Sequence, residues 1–279
     1  MEKEQTIYSF SKLEKFNQCQ YSYYLTYIKK LRSPDDGNIY GVLGSEVHSI
    51  LEHLQTQKIT KETALERFNE KVDEVLLFGM EFATPKSGEK YVQDVRHYLE
   101  NYERFDVEDF EIEEHFITDI DGIKVQGYID LYYKDENGLI HVVDYKTSTK
   151  FSKKDMPKKT RQLILYGYAL EQLKKGKVKE ISFDLLKYCS KPWRKTVTLK
   201  ERCELSELEY YPRALVTREY NQESVEEMKS YIKGIVQDIE SKDPDNEFDW
   251  KPTTDFRTNY FCSHLCEHYQ TKNCRHHFR

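Results

Sequence analysis

Residues 127–146 read GYIDLYYKDENGLIHVVDYK and carry the most informative pattern in this sequence. Side chains alternate between the two faces of a strand, so Asp144 and Lys146, two residues apart, project from the same side. Asn137-Gly138 is typical of a hairpin turn, and pairing of the flanking runs would bring Asp130 and Asp144 to one edge of a sheet. Two carboxylates at one edge are suitable ligands for a magnesium ion, which also takes water and phosphate oxygens.

The surroundings of Asp144 favour a functional role over a solvated surface pair. Asp-X-Lys by itself is common on the wet face of hairpins, but Val142 and Val143 lead directly into Asp144 as part of an apolar run. Charged groups at the end of a buried strand are costly unless they are paired or hold a ligand. Two carboxylates beside an ammonium are also the groups that metal-assisted cleavage of a phosphodiester requires.

Composition indicates a soluble globular protein. The 279 residues are 33% charged and 38% hydrophobic, and no segment approaches the run of about 18 apolar residues that spans a membrane. The charged start MEKEQT lacks the apolar core of a signal peptide, which predicts a cytoplasmic location. The net charge of −6 is not typical of a nucleic-acid-binding protein, although the local distribution of charge matters more than the sum.

A basic run follows the strand of Asp144 and Lys146 directly. A solvated charged surface is the ordinary interpretation of such a run, but its position beside the carboxylates also suits a phosphate backbone lying across them. The candidate phosphate-binding residues are Lys150, Lys153, Lys154, Lys158, Lys159 and Arg161.

Periodicity along the chain predicts an α/β (α+β) fold in which helices flank a central mixed β-sheet. Helices are predicted from Ser9 or Ser11 to Ile28, from Gly44 onward, and over Thr60–Phe78, Lys90–Phe105, Lys158–Lys174 and Ser224–Ile239. Strands are predicted at Glu111–Asp119, Ile123–Tyr133, Leu139–Lys146, Ile181–Tyr188 and Lys195–Leu199. No domain break is visible, so residues 1–279 are predicted to form one domain: a helical entry region (1–105), a sheet core (106–200) and a C-terminal helix with a tail (201–279).

Further polar residues stand in a specific order around the two aspartates. Along the chain the set is His48, Glu113, Gly127-X-X-Asp130, Asp144-X-Lys146 and Gln162-X-X-X-Tyr166. This order resembles the RecB-like branch of the PD-(D/E)XK nuclease superfamily, and the opening segment, residues 9–19, resembles that branch's N-terminal helix. Ile129 stands where the superfamily's name has proline, as RecB-like members often have. Glu113 and Glu114 both remain candidates for their position, because alternation alone does not choose between them.

The resemblance implies a restriction-endonuclease-like core and a Mg²⁺- or Mn²⁺-dependent deoxyribonuclease. The implied metal ligands are His48, Asp130 and Asp144, and the implied catalytic residues are Glu113, Asp130, Asp144, Lys146, Gln162 and Tyr166. In these roles Lys146 would position and activate the attacking water, and Glu113 would bind the metal directly or through water. Gln162 and Tyr166 would orient Lys146 or a DNA phosphate, and the basic run would bind DNA.

Four of the six cysteines form a pattern typical of a metal site. Cys262-X3-Cys266-X7-Cys274 lies near the end of the sequence and Cys19 near its start, whereas Cys189 and Cys203 have no partners at ligand spacing. Clustered cysteines in a cytoplasmic protein favour a metal over disulfides. Four thiolates suit either zinc or an iron–sulfur cluster.

Resemblance to Cas4- and AddB-type nucleases implies that the four cysteines hold a [4Fe-4S] cluster that clasps the two chain ends. The spacing is wider than the C-X2-C-X5-C pattern of those relatives. Nearby histidines also leave a Cys3His zinc site as an alternative, and they are His264, His268, His276 and His277.

Three hypotheses for the function remain at this stage. The first is a metal-dependent DNA exonuclease that acts in recombination, repair or phage DNA processing. The second is a catalytically silent DNA-binding or adaptor subunit with the same fold, and the third is a zinc-stabilised interaction protein. The sequence contains no Gly-X4-Gly-Lys-Ser/Thr motif, so any unwinding of DNA is expected to come from a helicase or recombination partner.

Overall fold

A computed structural model describes residues 6–31, 38–148, 155–186, 215–253, 261–269 and 271–276. The helices are α1 (Phe10–Gln18), α2 (Gln20–Tyr23), α3 (Ile39–Gln55), α4 (Lys61–Leu77), α5 (Pro85–Glu100), α6 (Met156–Gln172) and α7 (Gln222–Glu240). The strands are β1 (Tyr8–Ser9), β2 (Phe110–Ile120), β3 (Ile123–Lys134), β4 (Ile140–Lys146), β5 (Val178–Leu185) and β6 (Leu215–Glu219). None of the described helices is long and apolar enough to cross a lipid bilayer.

Contacts divide the chain into two compact units. The core unit comprises Leu43–Glu114 and Ile129–Tyr220, and the terminal unit comprises Met1–Val42, His115–Tyr128 and Asn221–Arg279. The sequence prediction of one domain over residues 1–279 stays a prediction.

The core unit contains a mixed sheet, as the sequence predicts. Strand β4 pairs antiparallel with β3 and parallel with β5, and β5 pairs antiparallel with β6. The first six residues of β4 are buried, which explains its almost continuous apolar run: a central strand covered on both faces has no wet side. The parallel pair β4–β5 requires a long connection, and α6 lies within it.

The terminal unit brings the two ends of the chain together. Helix α1 begins at the cap Ser9, whose side chain accepts the Lys12 amide, and ends at Cys19, where the backbone is extended. The helix predicted to run unbroken to Ile28 is therefore interrupted, and α2 and a π-helical turn, Tyr24–Ile28, follow the break. Trp250 is 1% exposed and stacks on Tyr23 and Tyr24 with ring centroids 5.8 and 5.4 Å away.

Some predicted elements lie outside the described residues. These are the strand at 195–199, the last residues of the strand predicted to reach 188, and the positions of Cys189 and Cys203.

Candidate functional site

Three potential metal ligands meet in the core unit. They are His48 from α3, Glu113 from β2 and Asp130 from β3, and one ligand atom of each lies within 4.8 Å of the others. The Nδ1 atom of His48 is 3.5 Å from Oδ1 of Asp130. A nitrogen and two carboxylate oxygens at this separation are a donor set that a divalent cation accepts.

Asp130 is held in place by the neighbouring strand. The backbone N–H of Tyr145 donates to Oδ2 of Asp130 at 2.8 Å, which leaves Oδ1 directed at His48. Burial alone would raise the pKa of Asp130, but His48, Lys146 and the Tyr145 amide outweigh it and hold that pKa below its ordinary value. The carboxylate is therefore charged at neutral pH and ready to bind a cation.

Glu113, in β2, has an unusual backbone conformation. Its φ of +50° lies in the left-handed region, which an L-residue in a strand rarely adopts. Burial alternates residue by residue along β2, so the adjacent Glu113 and Glu114 lie on opposite faces of the strand. The adjacent Glu114 instead forms an ion pair with Lys175 at 2.8 Å. Of the two glutamates that the sequence leaves open, the structure brings Glu113 to His48 and Asp130.

Asp144 and Lys146 form a tight pair at the end of β4. The Lys146 Nζ lies 2.9 Å from Oδ1 and 2.8 Å from Oδ2 of Asp144, but only the Oδ1 contact has hydrogen-bond geometry. Among the described residues Oδ2 has no hydrogen-bond partner although Asp144 is only 1% exposed. A buried carboxylate oxygen in this condition offers its lone pairs to a cation.

The two charges of this pair influence each other. Burial raises the pKa of Asp144 to about 6, against the opposing effect of Lys146. Burial would lower the pKa of Lys146, but the charges of Asp144 and Asp130 raise it above its ordinary value. Lys146 is therefore an ammonium in this site, able to stabilise negative charge and not to accept a proton at neutral pH.

Gln162 and Tyr166 extend the pair from one face of α6. The Gln162 Oε1 is 3.4 Å from the Lys146 Nζ, and its Nε2 donates to the Tyr166 hydroxyl at 2.6 Å. Burial raises the pKa of Tyr166, so its hydroxyl stays protonated. The chain Tyr166–Gln162–Lys146–Asp144 thus fixes the position of the ammonium.

The described part of the basic run lies at the beginning of α6. Lys158 and Lys159 are exposed and Arg161 is half-buried, one residue before Gln162. Lys150, Lys153 and Lys154 lie outside the described residues.

In the terminal unit, the four patterned cysteines line one cavity. Cys19, Cys262, Cys266 and Cys274 share it with His268 and His276. Burial, followed by the neighbouring thiols, raises the pKa of Cys262 to about 12. In the described part of the chain, no three of these thiols lie within 4.8 Å of one another.

A comparison with protein-family models now bears on this arrangement. The family model described as "PD-(D/E)XK nuclease superfamily" matches residues 7–271 of this chain. The chain belongs to the PD-(D/E)XK nuclease superfamily. Membership implies a nuclease that hydrolyses phosphodiesters and uses divalent metal ions. The predicted superfamily is thereby confirmed, and so is the restriction-endonuclease-like fold.

The other comparisons add little to this assignment. A solved structure described as "Crystal structure of SSO0001" is 13% identical with a TM-score of 0.31, and the alignment covers 81% of this chain and 84% of that one. A comparison with curated protein sequences found no match.

One group of the site, the backbone amide of Tyr145, is not predicted from the sequence. The Tyr145 amide that positions Asp130 is a backbone group, which carries no signature of its own. The Tyr145 ring also lies edge-on to the His48 ring, with centroids 6.3 Å apart. The only available signal is its place between Asp144 and Lys146.

Proposed function

We propose that this member of the superfamily is a RecB-like deoxyribonuclease that requires Mg²⁺ or Mn²⁺ and acts as an exonuclease in DNA recombination, repair or phage DNA processing. One observation carries the proposal: the Asp144–Lys146 pair and the His48, Glu113 and Asp130 group occur together in the core unit, with none of the five lost. An inactive adaptor has no need to retain the complete set.

The residues of the site divide the work between them. His48, Glu113 and Asp130 would hold the cation with Asp144, and the bound cation would polarise the phosphate and lower the pKa of a water molecule. Lys146 would place its fixed positive charge where the phosphorane accumulates negative charge. In this arrangement the bound cation would activate the water, and Lys146, whose pKa Asp144 and Asp130 raise, would help to position that water.

Gln162 and Tyr166 act on the position of Lys146. Their hydrogen bonds hold the ammonium in one orientation, which a flexible lysine side chain would otherwise lose on each turnover. Exposed Lys158 and Lys159 at the beginning of α6 would bind the DNA backbone through charge. A helicase or recombination partner and a cytoplasmic location stay predictions.

We also propose a structural [4Fe-4S] cluster in the cysteine cavity, as in Cas4- and AddB-type relatives. The donor chemistry suits it, since four thiols line one cavity. Thiolates around a single zinc ion would lie about 3.8 Å apart, given a Zn–S distance of about 2.3 Å. A zinc ion held by three of these cysteines and one histidine stays the alternative group for this cavity.

Degradation of end-labelled linear DNA with Mg²⁺ or Mn²⁺ tests the proposed activity. Asp144→Asn and Lys146→Ala are expected to reduce the rate by about 10²- to 10³-fold or more. Lys179→Ala is the matched control, because that lysine pairs with Asp135 at a mostly exposed position and should leave the rate unchanged. Equal rates for all four proteins would show that the site lies elsewhere.

The same assay separates the competing hypotheses. A wild type that binds DNA but cleaves none, over single-stranded and duplex ends and both metals, supports the adaptor. Labels at the 5′ and 3′ ends report the polarity of an active enzyme, and circular DNA reports endonuclease activity.

A further inference from the structure

His268 stands out in the cysteine cavity as a buried polar side chain that the four-cysteine assignment does not use. Its ring lines the cavity with the four thiols, and its exposed fraction is 0%. Among the described residues, Nδ1 has no hydrogen-bond partner. A buried ring nitrogen without a partner costs free energy unless a ligand satisfies it.

The other ring nitrogen identifies the tautomer. Nε2 lies 3.0 Å from the Thr26 Oγ1 and 3.7 Å from the Glu267 Oε1. The single Thr26 hydroxyl proton also faces two groups that only accept, the Ser22 carbonyl at 2.9 Å and Glu267 at 2.8 Å. Since the hydroxyl proton is directed to one of these acceptors, Nε2 is the donor and carries the hydrogen.

Lys15 completes this network, because it satisfies Glu267 and so allows the Thr26 hydroxyl to donate to the Ser22 carbonyl. The Lys15 ammonium pairs directly with Glu267, so that carboxylate is satisfied without the hydroxyl. A neutral imidazole has one N–H, and Nε2 uses it. Nδ1 therefore presents a bare lone pair, on a side chain with no exposed surface.

We propose that Nδ1 of His268 is a metal ligand in the cysteine cavity, so that the cluster is held by a mixed cysteine–histidine set. The inference rests on the proposed iron–sulfur group. A four-iron cluster offers four protein-bound positions. His268 takes one of them, and one of the four thiols is then not a ligand.

The two other histidines in the described part of the tail, His264 and His276, do not share these properties. His264 is exposed and is absent from the lining of the cavity. His276 lines the cavity, but its Nε2 accepts a hydrogen bond from the Arg275 Nε at 3.1 Å and its ring packs edge-on against Tyr21. Thr26, the partner of Nε2, does not line the cavity, whereas His268 does.

The first test uses the intact wild-type protein, purified without oxygen. Iron, sulfide and zinc contents establish whether the proposed group is present at all. The reduced protein is then compared by pulsed electron paramagnetic resonance with protein labelled with [¹⁵N]histidine. We expect a nitrogen hyperfine coupling as large as that of an iron-bound nitrogen, and we expect this coupling to change with the ¹⁵N label. The measurement uses only the wild-type protein, so it does not depend on the folding of a variant.

Substitutions then assign the signal. His268→Ala should lose the nitrogen coupling and release iron to a chelator about 10- to 100-fold faster, whereas His268→Cys should retain iron through a replacement thiolate. His264→Ala is the matched control and should behave as wild type. Of the four Cys→Ser variants, one is expected to keep its full iron content.

Two outcomes overturn the inference in distinguishable ways. If the wild type contains iron and sulfide but shows no histidine coupling, and all four Cys→Ser variants lose iron equally, the cluster stands and His268 is not a ligand. If the wild type contains neither iron nor sulfide, the proposed cluster fails and the inference fails with it.

Discussion

Glu113 combines an unusual backbone angle with a place in the candidate metal-binding group. With φ at +50°, this residue adopts a conformation that costs about 1 kcal/mol or more for a non-glycine residue. Strained positions of this kind persist where the surrounding structure determines them, and they cluster at functional sites. Glu113 faces His48 and Asp130, whereas Glu114 pairs with Lys175.

The two adjacent glutamates provide a matched test of metal binding. Glu113→Gln should weaken Mn²⁺ binding by about tenfold or more, because it removes one anionic ligand, and it should slow DNA cleavage in proportion. Glu114→Gln removes only a partly exposed ion pair, worth at most about 1 kcal/mol of stability, and should leave metal affinity unchanged. Calorimetric titration measures both, and a reversed order would assign the position to Glu114.

Metal affinity should rise with pH through the region around pH 6. Burial raises the pKa of Asp144 to about 6. Burial would lower the pKa of His48, but its contact with Asp130 raises that pKa above its ordinary value. Both groups therefore hold protons as the pH falls through this region, and a cation must displace them.

Calorimetry in buffers of different ionisation enthalpy counts the displaced protons. Mn²⁺ binding to the wild type should release protons near pH 6, and fewer as the pH rises further above the pKa of Asp144. Asp144→Asn should release fewer near pH 6. Binding that releases no protons across this interval would contradict the pKa shifts.

The spacing of residues in the sequence identifies the members of the candidate site, but it does not show which way each side chain points. Asp130, Asp144, Lys146, Gln162 and Tyr166 carry chemistry in side chains whose spacing along strands and helices is visible in the sequence. The choice between Glu113 and Glu114 depends on which face of β2 lies towards His48 and Asp130, and alternation alone does not reveal that face. The Tyr145 amide is a backbone group that every residue except proline possesses, so no residue type marks it in the sequence.

At the scale of elements, α6 carries Gln162 and Tyr166 of the candidate site, and its packing can be tested at Gly167. A Cβ added there would lie 2.8 and 3.0 Å from two ring atoms of Tyr220, whose hydroxyl is tethered to Glu171. Gly167→Ala should therefore destabilise the protein by about 1 to 3 kcal/mol, although alanine favours a helix.

Gly234 in α7 is the control for this substitution. Nothing lies within 4 Å of a Cβ added at Gly234, so Gly234→Ala should stabilise the protein by about 1 kcal/mol, through helix propensity alone. Chemical denaturation measures both changes. A stabilising Gly167→Ala would mean that Tyr220 moves aside at little cost.

Long periodic elements are predictable from the sequence, whereas short ones depend on their neighbours. The helices α4 and α7 agree with prediction to within a few residues, because each has a buried face of regular period. The hairpin strands β3 and β4 agree equally well, because their apolar runs flank the Asn137-Gly138 turn. The two-residue β1 exists only because Tyr8 and Ser9 pair with Val125 and Gln126. The helix break at Cys19 likewise could not be predicted, because no proline or glycine lies near it in the sequence.

At the scale of the whole molecule, the two chain ends are joined in the terminal unit by more than the proposed cluster. Trp250 packs on Tyr23, Tyr24 and Phe16, and its indole N–H donates to the Asp243 carbonyl at 3.0 Å. Arg275 pairs with Glu247 in the tail. The aromatic contacts require no metal. If they persist when the metal is removed, the tail has loosened locally, and if they are lost, the unit has unfolded.

Removal of iron should loosen the tail before it disturbs the Trp250 packing. Hydrogen exchange followed by mass spectrometry is expected to show at least about tenfold faster exchange over 261–276, which corresponds to about 1.4 kcal/mol of lost local stability. The segment around Cys19 should respond in the same direction, because its thiol shares the cavity with the tail. Peptides containing Tyr23 and Trp250 should change less, since their rings pack without metal. Uniform acceleration over all these peptides would mean that the cluster, and not the aromatic packing, holds the chain ends together.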